Sequence, residues 1–172
     1  MSKPIFNIND AELESWTNGS LYGSADVRIG PKIGVRDLGI GYTEVPPGKS
    51  SCPFHNHHVE DEMFIILEGE GIYRFGKDSY PIKAGDVLGA PAGGQETAHQ
   101  IINTGTSVLR YYAISTMAAT EVCEYPDSGK FGVFTRTTRN PYDKASLRYL
   151  QHLEHAGVDY WDREPGSEGK TE

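Results

Sequence analysis

Four side chains in the middle of this 172-residue chain have the types and spacing to share one metal ion. The stretch Pro53–Gly71, PFHNHHVEDEMFIILEGEG, opens with histidines and acids and passes straight into apolar strand-formers. On an extended strand alternate side chains share a face, so His55 and His57 point one way and Asn56 the other. Two imidazoles one pleat apart can each give a ring nitrogen to the same cation. Glu62 follows five residues after His57, enough for a tight turn to lay the next strand alongside. On that strand Glu62, Phe64 and Ile66 share a face, which puts a carboxylate beside the two histidines. Asp61 and Glu60 compete for this role, but Asp61 has the opposite parity and Glu60 falls in the turn. His58, of opposite parity to His57, belongs at the rim. Downstream, GDVLGAPAGGQETAHQIIN supplies another imidazole, His99, on a strand whose same-face partners are Ile101 and Asn103.

Neutral imidazoles joined by one carboxylate leave a divalent ion with residual positive charge and with positions open to water, substrate or dioxygen. An open position separates a catalytic metal site from a structural one. Such an ion polarises a carbonyl or acidifies a bound water. Imidazole does not choose sharply among Zn, Mn, Fe and Ni, so one divalent metal ion is expected without a preference for which. No catalytic base is evident, since Glu62 is occupied as a ligand.

The elements that must position these residues are short. Turn chemistry recurs along the middle of the chain: PPGKS after the extended stretch Gly34–Val45, the glycines of EGEG, then Gly-Lys-Asp-Ser, Ala84-Gly85-Asp86, Pro-Ala-Gly-Gly and Asn103-Thr104-Gly105. Short apolar runs between regular turns point to an all-β sandwich or barrel, and 20 Gly with 10 Pro suit a turn-rich domain. The flanks read differently. NDAELESW suggests a short helix capped by Asn9 or Asp10. NPYDKASLRYLQHLEHAG carries Leu147, Leu150 and Leu153 at helical spacing, with Gly157 as its stop. The final REPGSEGKTE has no apolar residue and reads as a disordered tail.

The bulk composition narrows the function. One domain of this length buries a sizeable core without staples. A net charge of −8 with no basic stripe argues against nucleic acid as a partner. No apolar run approaches the roughly 20 residues of a membrane span, and MSKPIFNIND lacks the pattern of a secretory signal. Cys52 and Cys123 have no metal-site spacing and read as buried thiols of a reduced, cytoplasmic protein.

The site residues also carry a family resemblance. Gly48, His55, His57, Glu62 and Gly69 match the first motif of the cupin superfamily, with the gap before His55 one residue longer than the pattern. Gly85, Pro91, Gly93, His99 and Asn103 match the second, with three extra residues before His99. LGIGYTEVPPGKSSCPFHNHH, EYPDSGKFGV and VDYWDRE further resemble a group of small bacterial single-domain cupins labelled sugar-phosphate-isomerase-like. The resemblance implies a jelly-roll cupin barrel with His55, His57, Glu62 and His99 as metal ligands in its mouth. On this reading residues 1–32 are an N-terminal extension packing on the barrel and 33–118 the barrel itself. Residues 119–163 are a C-terminal extension and 164–172 the tail. The resemblance also implies a homodimer formed by exchange of the extended Ile33–Val45 segment. Tyr73 with Phe75, and Arg110 with Tyr112, are candidates to face the barrel interior and anchor an anionic substrate. Arg74, Lys83 and Arg110 are the scattered cations available to a phosphate. His152 and His155 lie on a solvated helix face, and YPDSGK (125–130) reads as a turn without an assigned role. The expected partner is a small polar molecule such as a sugar, sugar phosphate or keto acid. Two classes of function follow: a metal-dependent isomerase, epimerase or dioxygenase, or a non-catalytic module that binds the same kind of ligand.

Overall fold

The computed structural model describes residues 3–136 and 147–154, together with Gly157 and Pro165. In chain order its strands are β1 (Glu14–Asn18), β2 (Tyr22–Arg28), β3 (Leu38–Val45), β4 (Asn56–His57), β5 (Glu62–Glu68), β6 (Glu70–Phe75) and β7 (Asp78–Lys83). They continue with β8 (Val87–Ala90), β9 (His99–Ile102), β10 (Leu109–Thr116), β11 (Thr120–Tyr125), β12 (Lys130–Thr135) and β13 (Leu147–His152). A single helical turn, α1 (Gly30–Ile33), links β2 to β3.

The chain is all-β and its strand pairs are antiparallel. One layer is a six-stranded sheet in the order β1-β2-β3-β10-β5-β8. The other is built from the three strands β7-β6-β9 and the four strands β13-β12-β11-β4. These two smaller sheets meet where His55 and His99 pair as an isolated antiparallel bridge. Apolar residues of both layers close the jelly roll between them. Val45, Phe64, Ile66, Leu109 and Tyr111 come from the large sheet, and Tyr73, Ile82 and Ile101 from the other. The period-two pattern explains their choice: in β5, Phe64 and Ile66 are buried while Met63 and Leu67 are exposed.

Two residues of the turn chemistry have roles that side-chain type explains. Gly69 takes φ of +86° in the link between β5 and β6, and a Cβ there would lie 2.8 Å from the Val108 carbonyl oxygen. Asn103 is fully buried; its Nδ2 donates to the carbonyls of Val45 at 2.7 Å and Ser107 at 2.8 Å, and its Oδ1 accepts from the Gly105 amide at 3.0 Å. It thereby ties β3 to the turn that enters β10.

Both helices expected at the flanks are strands. After a single 3-10 turn at Ile8–Asp10, capped by Asn7 rather than Asn9 or Asp10, the chain enters β1 and pairs along its whole length with β2. Leu147–His152 forms β13, paired over six positions with β12. In each case a neighbouring strand offers a full ladder of backbone partners, and that long-range pairing outweighs a weak local preference. His155 and nearly all of the 164–172 tail lie outside the described residues. β3 is flanked within the same chain by β2 on one edge and β10 on the other.

Asn103→Ala removes one buried and two part-buried hydrogen bonds, so the expected cost is about 2 kcal/mol, a fall in Tm of about 4–8 °C. Denaturant titration of both proteins checks this, and an unchanged midpoint would remove Asn103 as the tie between β3 and β10.

Candidate metal centre

The seam between the two smaller sheets creates the site. The His55 amide donates to the His99 carbonyl at 3.1 Å and the His99 amide to the His55 carbonyl at 2.7 Å. Residues that exchange both bonds across an antiparallel pair project to the same face, and the two ring centroids lie 4.6 Å apart. His57, two residues along, shares that face and is held by its pairing with Cys123 of β11. Glu62 arrives from the opposite layer as the first residue of β5, beside Ser115 and Ala90. One ligand atom from each of His55, His57, Glu62 and His99 falls within 4.8 Å of the others. The Nε2 atoms of His55, His57 and His99 stand 3.9, 3.3 and 3.0 Å from one carboxylate oxygen, Glu62 Oε2.

The outward sides of the rings decide what that convergence means. His55 Nδ1 lies 2.8 Å from the Pro53 carbonyl and His99 Nδ1 lies 3.2 Å from the Thr97 carbonyl. A carbonyl only accepts, so both Nδ1 atoms carry hydrogen, and each ring turns its Nε2 inward. Ring nitrogens this close to an ionised carboxylate need a proton or a metal ion between them, as in the 3.0 Å contact of His99 Nε2 with Glu62. His57 Nε2 is buried with no hydrogen bond of its own, as a nitrogen kept for a metal would be. These donors fit a divalent ion held by nitrogen and oxygen. The four groups are tightly coupled, and a shared cation, whether protons or a metal ion, stabilises them together. Burial pushes the Glu62 carboxyl up, but the facing His57 and His99 rings outweigh it and hold it well below the usual carboxylate range. Burial, reinforced by the neighbouring histidines, lowers His55 to about 4, so this ring is neutral at physiological pH. Burial also disfavours the charged form of His57, yet the Cys123 sulfur and the Glu62 carboxylate prevail and raise its pKa.

A buried pair behind His57 escaped sequence reasoning. Cys123 Sγ lies 3.4 Å from His57 Nδ1, and Glu121 Oε2 lies 3.8 Å from the same nitrogen. Glu121 is 2% exposed, and its carboxylate accepts the amides of His58 at 2.9 Å, Val59 at 3.2 Å and Glu60 at 2.7 Å. One buried acid thus shapes the loop from His57 to Glu62 and backs the ring that the loop carries. Glu121 and Cys123 share a parity in TEVCEY, but nothing in the sequence tied that strand to His57. With its oxygens already taken by amides, Glu121 acts as an orienting group behind the ring.

Several other candidates lie elsewhere. Glu60 is buried and accepts from the Ala118 amide and from Arg136. Asp61 is exposed and caps the Ala92 amide. His58 sits at the rim, 2.8 Å from Glu124. Arg110 and Tyr112 face away from the interior, a correction to the expected parity. The inner face of β10 carries Leu109 and Tyr111, while Arg110 pairs with Glu44 and Glu68 and Tyr112 packs on Tyr42. Arg74 forms a bidentate pair with Asp127 over the Phe54 ring, and Lys83 is exposed. Tyr73 is buried and donates to the Gly89 carbonyl, with Phe75 packed beside it. His152 lies in β13, 3.1 Å from the Ser128 carbonyl. The YPDSGK turn sets the Tyr125 ring against His55, 6.1 Å between centroids.

On the inner face of the large sheet, Gly39 and Gly41 of β3 face Ser115 and Ala113 of β10. These small residues open a cleft of about 280 Å³ that has Glu62 in its wall. Replacing Glu121 with Gln removes the charge that holds the His57 loop; metal affinity is expected to fall about 10–100-fold, with Cys123→Ala weaker in effect. Competition against a chelator measures both, and wild-type affinity in Glu121→Gln would exclude an orienting role.

The comparisons with known proteins bear on the same residues. The family described as Cupin domain matches residues 41–115, which include all four site residues. An oxalate-binding protein of Thermotoga maritima is 41% identical over 71 residues, 41% of this chain and 55% of its own length. The chain spans about half the length of the curated relatives it matches. A structure from Acidithiobacillus ferrooxidans, provisionally titled a sugar phosphate isomerase, superposes with a TM-score of 0.77 at 28% identity, over 91% of this chain and 96% of its own. A cupin-superfamily protein from Silicibacter pomeroyi, titled a sugar phosphate isomerase, reaches 0.73 at 19% identity, over 91% and 98%, and shares the fold. The converging site, the jelly-roll frame around it and the matched segment agree: residues 41–115 match the Cupin domain family and hold all four site residues.

Proposed function

We propose that the chain is a metal-dependent cupin in which His55, His57, Glu62 and His99 hold one divalent ion and present it to a small polar molecule. A sugar, a sugar phosphate or a keto acid fits the reading. The observation that carries it is the convergence of ring nitrogens on Glu62, with the outward nitrogens of His55 and His99 bound to carbonyls. When bound, such an ion supplies a Lewis acid for a carbonyl or hydroxyl oxygen and an acidified water. The chain's own residues do the rest. Pro53 and Thr97 fix two rings by their carbonyls, Cys123 and Glu121 back the other, and the cleft beside Glu62 admits the ligand.

A second reading, capture without turnover, has support of its own. Isomerisation or epimerisation needs a base near the polarised carbon. Among the described residues the acids near Glu62 are committed: Glu60 to Arg136 and the Ala118 amide, Asp61 to the Ala92 amide, Glu121 to the loop. The relative named for binding oxalate agrees with this reading.

Metal analysis of tag-free protein tests the site. His57→Ala and His99→Ala are each expected to lower bound metal at least ~10-fold while strand circular dichroism stays as in wild type. Unchanged metal content in both would overturn the ligand set. Incubating metal-loaded and metal-stripped protein with sugar phosphates and keto acids then separates the two readings. An enzyme converts one only when loaded; a binder is merely stabilised by it.

A further inference from the structure

The cleft beside Glu62 contains a hydroxyl whose bonding capacity the fold leaves almost open. We propose that Ser115 is a ligand-binding residue, and that the molecule held at the metal centre carries a hydroxyl or carbonyl oxygen a carbon or two away from the oxygen it gives to the ion. This rests on the metal-centre reading for the ion-bound oxygen only.

Register places the residue. Ser115 of β10 stands directly opposite Glu62 of β5 on one side and Gly39 of β3 on the other. Directly opposed side chains on one face have Cβ atoms about 4.5–5.5 Å apart. The serine is therefore the next inward side chain beside a candidate metal ligand, and both line the cleft. Its neighbours on that wall, Ala113, Gly39 and Gly41, have no hydrogen-bonding side chain.

The bonding of the hydroxyl sets it apart. Among the described residues its hydrogen-bond partner is the Met117 sulfur, 3.5 Å away. A thioether is a weak acceptor, while a hydroxyl offers one donor and two acceptor lone pairs. A ligand oxygen can thus draw the proton from the sulfur at little cost, and a ligand hydroxyl can donate to Ser115 in turn. Other inward serines are committed: Ser24 donates to Asp26 at 2.6 Å, and Ser51 lies 2.7 Å from the Tyr111 hydroxyl.

Gly39 makes room for this group. A Cβ at residue 39 would collide with the Ser115 hydroxyl and stand 2.7 Å from the Met117 sulfur. Gly39 has no left-handed φ that would call for glycine, so the missing side chain is what the position requires. Were small size the only demand on residue 115, alanine would serve, as it does at 113 on the same face.

The span then sets the ligand class. Glu62 and Ser115 lie on adjacent strands, about 4.7–4.9 Å apart. A chain of two or three carbons bearing oxygens bridges an ion at Glu62 and the hydroxyl. Short hydroxy acids and hydroxy ketones have that form and suit a cleft of about 280 Å³.

The test uses two pairs of probes that differ by one hydroxyl, glycolate against acetate and 3-hydroxypropionate against propionate. Each is titrated calorimetrically into the full chain, and the metal content of every sample is measured. Both members of a pair carry the same carboxylate, so charge elsewhere in the cleft acts on them alike. Metal-loaded wild type is expected to favour the hydroxylated member of at least one pair. Ser115→Ala should cut that preference about 3–10-fold with metal content unchanged. Gly39→Ala, whose methyl displaces the hydroxyl, should cut the same preference. The pair that responds gives the spacing between the two ligand oxygens. A serine needed only for packing would weaken both members of a pair equally. That result, a preference unchanged in Ser115→Ala, or no binding of either hydroxy acid at millimolar concentration would overturn the role of Ser115 while the ion stays bound. A Ser115-dependent preference in protein that takes up no ion would keep that role and remove the metal reading instead.

Discussion

The site depends on two backbone hydrogen bonds. Where His55 and His99 exchange them, two small sheets become one layer, and two imidazoles from distant parts of the chain are forced onto one face. The Pro53 and Thr97 carbonyls then bind the outward ring nitrogens and turn the Nε2 atoms toward Glu62. Imidazole nitrogens pointed at a half-buried carboxylate repel it unless protons or a metal ion complete the set. Fold and chemistry are thus the same feature: the seam that closes the jelly roll is also what assembles the donors.

Strand parity made much of this legible in the sequence. His55, His57 and Glu62 lie within one short stretch; alternation puts the two histidines on one face, while Glu62 reaches them from the opposite layer and His99 across the seam. Parity failed where both faces of a strand look alike. In LRYYAIST a tyrosine stands on each face, so alternation could not say whether Tyr111 or Tyr112 looks inward; packing against Phe64 puts Tyr111 there. The flanks misled for a different reason. NDAELESW and the leucines of 147–153 carry weak helical signals, and the ladders offered by β2 and β12 are partners that local spacing cannot reveal. Glu121 and Cys123 were invisible for the same cause, since their importance arises only from the pairing of β11 with β4.

Around the metal cluster the structure divides labour between large and small residues. Aromatic and aliphatic side chains fill one end of the barrel, with Phe64, Ile66, Leu109 and Tyr111 packed together. Toward the other end the same strands place Glu62, Ala113, Ser115, Gly39 and Gly41, and the core gives way to a cleft. Because successive inner positions of β10 run from Leu109 to Ser115, the change from core to pocket is written along single strands. Buried carboxylates organise the rim of that pocket: Glu121 gathers the loop after His57, and Glu60 steadies Arg136.

Diffraction from crystals of the metal-loaded protein, recorded at the absorption edge of the bound metal, tests the central claim most directly. The account predicts one anomalous peak bonded at about 2.0–2.2 Å to Nε2 of His55, His57 and His99 and to a Glu62 oxygen. An ion bound elsewhere while that cluster holds none, or one reached through Nδ1 with the carbonyl contacts broken, would contradict it.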